Sequence, residues 1–117
     1  MNLEKFKYAN GMKVAVYGTT YDRAIQFMHR IKNEIGDEQL KRSIFRKDYG
    51  EIEMLNGNIF KTYKIQQNTR GMKYNYAFID FEITREGLFE LVYYSYIPIQ
   101  NGENNHVKFE DAIEFYI

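Results

Sequence analysis

The sequence predicts one α+β domain, with two N-terminal helices packed on a mainly antiparallel sheet of hairpins and a short C-terminal helix closing the fold. Three observations predict it. A segment after Thr20 repeats apolar residues at helical spacing, and later segments alternate apolar and polar residues as strands do. Two Asn-Gly pairs separate strand-like runs, which is the strongest short hairpin signal. The length of 117 residues fits a single domain, 1–117.

The first predicted element is a hairpin around Asn10-Gly11. The run that follows, residues 12–17, places Met12, Val14 and Val16 on one face. The run before it would place Lys5 and Lys7 opposite them, so the second strand has the clearer pattern.

A helix follows, capped by Thr19 or Thr20 and ended by Gly36. Its polar face carries basic residues. The inward residues are Ala24, Phe27, Met28, Ile31 and Ile35, and the polar face holds Arg23, Arg30, Lys32 and Asn33.

A second, shorter helix is predicted from Asp37, as its cap, to about Asp48. Leu40, Ile44 and Phe45 would face inward. The outer face would present Lys41, Arg42, Arg46 and Lys47.

The rest of the chain predicts sheet. Its expected parts are a hairpin around Asn56-Gly57, a loop at 66–73, a strand at 75–83, a strand at 88–99 and a closing helix at 108–117. On the strand at 75–83, Asp80 and Glu82 would share one face with Tyr76 and Phe78.

The charge distribution is uneven although the net charge is zero. Residues 1–73 contain 14 lysines and arginines against 8 aspartates and glutamates, a net of +6, and residues 74–117 contain 2 against 8, a net of −6. This asymmetry fits an interaction surface, and it equally fits pairing of the two parts within one fold.

Composition excludes several classes of site. The absence of cysteine excludes disulfides, thiol nucleophiles and thiolate metal sites. The sequence shows neither a signal peptide nor a membrane span, so we expect a cytoplasmic protein, in the host cytoplasm if phage-encoded. Richness in Asn, Lys, Ile and Tyr is typical of AT-rich genomes, including those of low-GC bacteria and their phages.

Residues 12–82 resemble the middle of the ATPase cores of phage terminase large subunits and helicase-like motors. The resemblance is carried by the strand and helix start "VAVYGTTYDRA", the hairpin "IEMLNGNIFKTY", the loop Arg70-Gly71 and the strand "YAFID". It implies a nucleotide- or nucleic-acid-binding core, and shared hairpin and strand patterns are the alternative explanation.

Two departures separate this chain from that family. It has no G-x-x-x-x-G-K-[ST] loop to surround phosphates, and "VYGTT" contains no lysine in its place. The family's adjacent acid pair is replaced by Asp80-Phe81-Glu82. The resemblance therefore implies a degenerate relative that binds nucleotide or nucleic acid without hydrolysis.

No catalytic group is predicted. Asp80 and Glu82 could hold Mg²⁺ or act as an acid–base pair, but two carboxylates on a solvated sheet face are the better explanation. His29 and His106 lack metal-site spacing, and Ser43 and Ser95 lack a nucleophile-elbow context. We expect no enzyme activity, no metal and no cofactor.

Three sets of residues are candidate binding residues. A basic face for nucleic acid or a protein partner comprises Arg23, Arg30, Lys32, Lys41, Arg42, Arg46, Lys47 and Arg70. An acidic face comprises Glu86, Glu90, Glu110, Asp111 and Glu114. Candidates for base stacking are Tyr74, Tyr76, Tyr94 and Tyr96.

The sequence thus predicts a non-enzymatic phage or mobile-element protein that docks electrostatically on a nucleic-acid-handling protein or on nucleic acid. Size, composition and charge are analogous to those of small phage inhibitors of host defence, anti-CRISPR proteins among them. A homo-oligomer joined by its basic and acidic parts is a further possibility.

Overall fold

The structure is a computed structural model that describes residues 3–8, 10–64, 76–85, 99–100, 103–104 and 112–115. For the last three ranges, and for Lys5, Thr84 and Arg85, it describes the backbone alone. All structural statements below concern these residues.

The described chain contains three α-helices and eight strands. In order these are α1 (Lys5–Tyr8), β1 (Lys13–Gly18), α2 (Tyr21–Ile35), β2 (Leu40–Arg46), β3 (Tyr49–Met54), β4 (Ile59–Lys64), β5 (Tyr76–Asp80), α3 (Phe81–Arg85), β6 (Ile99–Gln100), β7 (Glu103–Asn104) and β8 (Ala112–Phe115). A short 3-10 helix, Asp37–Gln39, links α2 to β2.

The strands form a six-stranded sheet in the order β2-β3-β4-β1-β5-β8, and β6 pairs with β7 in a separate ribbon. The α+β class predicted from the sequence is confirmed. Strands β2, β3 and β4 are antiparallel hairpin strands, as expected. The other pairings are parallel: β1 lies between β4 and β5, and β5 pairs with β8. The sequence pattern did not foresee these parallel pairs.

Helix α2 covers one face of the sheet, and the apolar core lies beneath it. Thr20 caps the helix by accepting a hydrogen bond from the Arg23 amide, and Gly36 ends it with φ of 79°. The predicted inward residues are all buried. Phe27, Met28 and Ile31 are at most 2% exposed, and each contributes about 1.5–3 kcal/mol by leaving water.

The N-terminal segment forms the helix α1, so the prediction of a strand before Asn10-Gly11 is wrong. Phe6 is fully buried, with its ring 5.2 Å from that of Phe60. Buried Asn58 donates a hydrogen bond to the Phe6 carbonyl at 2.6 Å and accepts one from the Met12 amide at 2.8 Å. These contacts require the segment to fold back, which a hairpin partner of β1 could not do.

The predicted helix from Asp37 to about Asp48 is also wrong, because residues 40–46 form β2. The spacing of Leu40, Ile44 and Phe45 fits a helix, yet pairing with β3 imposes extended backbone. A two-residue turn between Arg46 and Tyr49 closes this hairpin.

At the C-terminal end, residues 112–115 form β8, and the predicted helix at 108–117 is therefore wrong where the structure describes it. Four residues are too few for spacing to distinguish helix from strand. A parallel partner, β5, was available here. The predicted strand at 88–99 lies outside the described residues except for Ile99.

The hairpin around Asn56-Gly57 is confirmed by β3 and β4, with Gly57 at φ of 88°. The next part of this ladder is irregular. The Thr62 hydroxyl accepts a hydrogen bond from the Gly50 amide at 2.8 Å and lies 3.4 Å from the Gly50 carbonyl. The backbone groups of Gly50 therefore point toward β4.

Candidate functional site

Two features of the structure are candidates for function. One is a buried ion pair at the carboxyl ends of β1 and β5, and the other is a charged surface on β2. The first corresponds to the predicted Asp80 and Glu82 pair and to the family resemblance. The second contains half of the predicted basic face.

Asp80 ends β5 and is completely buried. Its Oδ2 accepts hydrogen bonds from Arg23 Nε at 2.6 Å, from the Thr19 hydroxyl at 3.0 Å and from the Thr19 amide at 3.1 Å. Its Oδ1 accepts from Arg23 Nη2 at 2.8 Å and from the Glu82 amide at 3.1 Å. Five donors thus surround one carboxylate.

The close turn between β1 and α2 brings these donors together. Gly18 permits it, because a Cβ at this position would lie 2.4 Å from the Thr20 carbonyl oxygen and 2.7 Å from the Ala24 amide nitrogen. Arg23 lies in the first turn of α2, on the side that faces β5. The sequence "YGTTYDR" therefore places a hydroxyl and a guanidinium beside the neighbouring strand.

The ion pair shifts the pKa of both partners. Burial alone would raise the pKa of Asp80, but hydrogen bonds from Arg23, Thr19 and the Glu82 amide outweigh it and lower that pKa. The hydrogen bond to Asp80 raises the pKa of Arg23. Asp80 is therefore held as a carboxylate.

This arrangement differs from the predicted pair of acids on one strand face. The strand ends at Asp80 and Phe81 begins α3, so Glu82 contributes its backbone amide to the Asp80 carboxylate. Asp80 has no exposed surface and five protein donors, which makes it a clamp between β5, β1 and α2. Among the residues with described side chains, no three acidic or histidine residues form a metal-binding group.

The clamp lies at the carboxyl ends of two neighbouring parallel strands, which is where many proteins with open sheets bind ligands. The chain after β1 continues through α2 to β2, which lies on the β4 side of β1, whereas the next strand of this sheet after β5 is β8, on the opposite side. In open sheets with parallel strands, ligands bind outside the carboxyl ends of strands whose connections diverge in this way. Here that place is spanned by the Arg23–Asp80 pair.

The second feature is a network of charges on the sheet face opposite α2. Glu53 forms salt bridges with Lys41 Nζ and with Arg42 Nε, each at 3.0 Å. Glu51 lies 3.4 Å from Arg42 Nη2 and 3.7 Å from Lys61 Nζ. The two glutamates are largely buried, and the cations extend over them into solvent.

The network affects the ionisation of its members. The hydrogen bond from Lys41 lowers the pKa of Glu53. Burial, followed by the negative charge of Glu51, raises the pKa of Tyr49 to about 12. At neutral pH Glu53 is therefore ionised and Tyr49 is neutral.

The end of β2 and its turn carry two further cations. Arg46 and Lys47 are exposed, and neither has an ion-pair partner within the part of the chain that the structure describes. We call the set Lys41, Arg42, Arg46 and Lys47 the basic edge. Asp48, also exposed, is the one acidic side chain in this hairpin turn.

The remaining basic candidates lie on α2. Arg30 lies over the Phe27 ring, and Lys32 Nζ lies 5.6 Å from the centre of the Phe45 ring. Phe45 also stacks on His29, with ring centres 4.0 Å apart. The structure thus brings Lys32 next to β2 and separates Arg23 from it.

Eight of the predicted residues fall outside the part of the chain that the structure describes. Outside the described residues lie Arg70, Tyr74, Tyr94, Tyr96, Glu86, Glu90, Glu110 and Asp111. Glu114 belongs to β8, of which the backbone is described. Tyr76 packs edge-on against Phe6, with ring centres 5.7 Å apart, and so contributes to the core.

The sequence interpretation missed Thr19, Glu51 and Glu53 as members of these sites. A usable signal existed for the glutamates. In "EIEM" they occupy positions i and i+2 of a strand, which share a face. Thr19 gave no such signal, because its contact depends on β5 lying beside β1.

No helix among the described residues is long and apolar enough to cross a membrane. Comparison with protein-family models, curated proteins and solved structures finds no match to this chain.

Proposed function

We propose that this protein is a non-enzymatic binding protein that docks through its basic edge on an acidic surface of a nucleic-acid-handling protein. The observation that carries the proposal is the group of four exposed cations on β2 and its turn, of which Arg46 and Lys47 have no ion-pair partner in the described structure.

The geometry of the basic edge supports a docking role. The glutamates beneath it neutralise Lys41 and Arg42 in part, whereas Arg46 and Lys47 project from the end of the hairpin. Charges that are exposed in this way steer association and give specificity more than they stabilise the fold. Their effect extends about 8 Å at physiological ionic strength.

The clamp at Asp80 supports the absence of catalysis. In the ATPase cores that residues 12–82 resemble, this strand ends in an acid pair, whereas here five protein donors occupy the Asp80 carboxylate. The composition, which is typical of AT-rich genomes, supports an origin in a phage or mobile element. We therefore propose inhibition of a host defence complex as its biological role.

The test is affinity capture from an infected or host lysate, with the intact protein and two variants. Arg46→Glu with Lys47→Glu removes the two cations of the basic edge that have no ion-pair partner in the described structure, and Lys7→Glu with Lys13→Glu makes the same change of net charge at other exposed positions. We expect the first pair to lose the captured protein and the second to retain it, with capture weakening as salt rises. Equal capture by all three proteins would contradict the proposal. Capture of nucleic acid without any protein would also contradict it, because the proposed partner is a protein.

A second candidate function is binding of a nucleotide without hydrolysis. It is favoured by the turn from Gly18 to Thr20, which joins a central strand to a helix beside the acid-ended parallel strand β5. The test is thermal unfolding with ATP and Mg²⁺. A rise in Tm that saturates with ATP would support this candidate, and an unchanged Tm at millimolar ATP would exclude it.

A further inference from the structure

We infer that the outer edge of β2 binds an extended acidic segment of a partner protein, which adds to the sheet as a further strand. This inference rests on the proposed docking function and specifies its mode. Strand addition of this kind uses backbone hydrogen bonds for affinity and alternate side chains for specificity.

The backbone of β2 offers outward hydrogen-bonding groups. The amide and carbonyl of Gly50 point toward β4, where they meet Thr62. Gly50 is the register partner of Phe45, so Phe45 and Gly50 form a pair without mutual hydrogen bonds. By the alternation of an antiparallel ladder, the backbone groups of Phe45 and Ser43 point away from β3.

No described strand lies on that outer side of β2, which ends the sheet in the order of strands. The side chains along it remain accessible, with Lys41 60% and Arg42 54% exposed. Within the described part of the chain, an added strand would therefore find both outward backbone groups and space for its side chains.

The side chains of β2 define the chemistry of the partner. Arg42, Ile44 and Arg46 lie on the face opposite α2, since they pair with Glu53, Glu51 and Tyr49. A partner strand would place acids opposite the two arginines and an apolar residue opposite Ile44, hence an acid–x–apolar–x–acid pattern.

A second copy of β2 is a poor occupant of this edge. Antiparallel pairing of two β2 strands would set arginine against arginine, and like charges directly opposite destabilise a sheet. Charged edge residues also prevent such self-pairing in natural sheets. The partner we infer has the opposite charge.

The test uses a fluorescent peptide with the inferred pattern. Glutamate, isoleucine and glutamate occupy every second position, and threonine occupies the positions between them. A peptide with lysine in place of glutamate is the matched control. We expect fluorescence anisotropy to show binding of the acidic peptide alone. The affinity for this peptide should weaken at least about tenfold, or about 1.4 kcal/mol, in Arg46→Glu with Lys47→Glu.

Ser43→Pro separates strand addition from charge attraction. It removes an outward amide that the β2–β3 ladder does not use and leaves all the basic residues in place, and proline is tolerated on edge strands. We expect it to abolish peptide binding while the Tm stays near that of the parent. Retained binding would overturn strand addition and leave the proposed docking function standing.

A second measurement covers the case in which Ser43→Pro fails to fold. In the parent protein, amide hydrogen exchange at Ser43 and Phe45 should slow when the acidic peptide is added. Unchanged exchange with the peptide bound would overturn the inference, as would failure of the parent to bind the peptide. Self-association of the protein through β2 without peptide would assign the edge to a second copy instead.

Discussion

The carboxylate of Asp80 and the guanidinium of Arg23 form a two-point ion pair, with Oδ2–Nε at 2.6 Å and Oδ1–Nη2 at 2.8 Å. The pair joins the end of β5 to the first turn of α2. The Asp80 side chain is fully buried, whereas Arg23 is 25% exposed. It is a connection between elements that are 57 residues apart in sequence.

Replacement of Asp80 by asparagine should destabilise the fold strongly. The new amide would point a donor at Arg23 or Thr19, and Arg23 would lose its counter-charge. We expect a loss of about 3 kcal/mol, the lower end of the range for broken buried pairs because Arg23 reaches solvent. Urea unfolding measures it. Arg23→Met combined with Asp80→Asn should cost less than the two single changes added together, and strict additivity would show that the ion pair contributes nothing.

Stability should fall in acid because of Asp80. Its pKa is lowered in the folded state, so its contribution is fully present above the unfolded value of about 3.9 and is lost as pH falls through the folded pKa. Unfolding free energies measured from neutral pH to below that value should show a drop that is smaller in Asp80→Asn. If the unfolding free energy depends on pH equally in parent and variant, other carboxylates cause the acid unfolding.

At high pH the corresponding group is Tyr49. Its pKa is raised to about 12, so the unfolded chain ionises first, at about 10. Stability should therefore be full below about 10 and fall as pH rises toward about 12. Tyr49→Phe should remove this part of the alkaline loss. The check is the Tm across that range, with Tyr8→Phe, an exposed tyrosine, as control.

Gly18→Ala should disrupt the turn that builds the clamp. The added methyl would lie 2.4 Å from the Thr20 carbonyl oxygen, which is backbone and cannot rotate away. We expect a cost of about 3 kcal/mol, at the upper end for overpacking. Gly11→Ala is the control, since an added Cβ there would meet nothing within 4 Å beyond its chain neighbours, and the φ of 69° alone should cost about 1 kcal/mol. Equal losses in denaturant unfolding would contradict the close approach at Gly18.

Asn58→Ala should loosen the N-terminal segment. The change leaves the partly buried Met12 amide without its acceptor and removes one of two donors to the Phe6 carbonyl, Asn56 being the other. A loss of about 2 kcal/mol follows from one orphaned donor and one lost bond. Asn33→Ala, on the exposed side of α2, should change the unfolding free energy little. Equal unfolding free energies of the two variants would show that Asn58 does not anchor α1.

The sequence predicted the local parts of this fold and missed the distant ones. Helix α2 is fully predictable, because its cap, its apolar spacing and its final glycine all lie within a 17-residue stretch, Thr20 to Gly36. The β3–β4 hairpin is equally local. By contrast, β2 is a strand because β3 pairs with it, which outweighs the helical spacing of Leu40 and Ile44.

The candidate sites divide in the same way. The basic edge could be predicted as a cluster, since its four cations lie within seven positions. Its partners Glu51 and Glu53 come from the adjacent strand and require the register to be known. The Asp80 clamp could not be predicted from the sequence, because no local pattern indicates that β5 lies parallel to β1 or that the Arg23 side chain turns toward β5.

The central place of β1 has a consequence for synthesis of the chain on the ribosome. Lys13 pairs with Ile59 and Val14 with Tyr76, so the partners of β1 are translated 46 and 62 residues later. At about 5–20 residues per second, the apolar run from Val14 to Tyr17 waits several seconds before its second neighbour exists. The nascent chain therefore passes through a period in which α2 and the N-terminal segment are already synthesised but β1 has neither of its sheet neighbours.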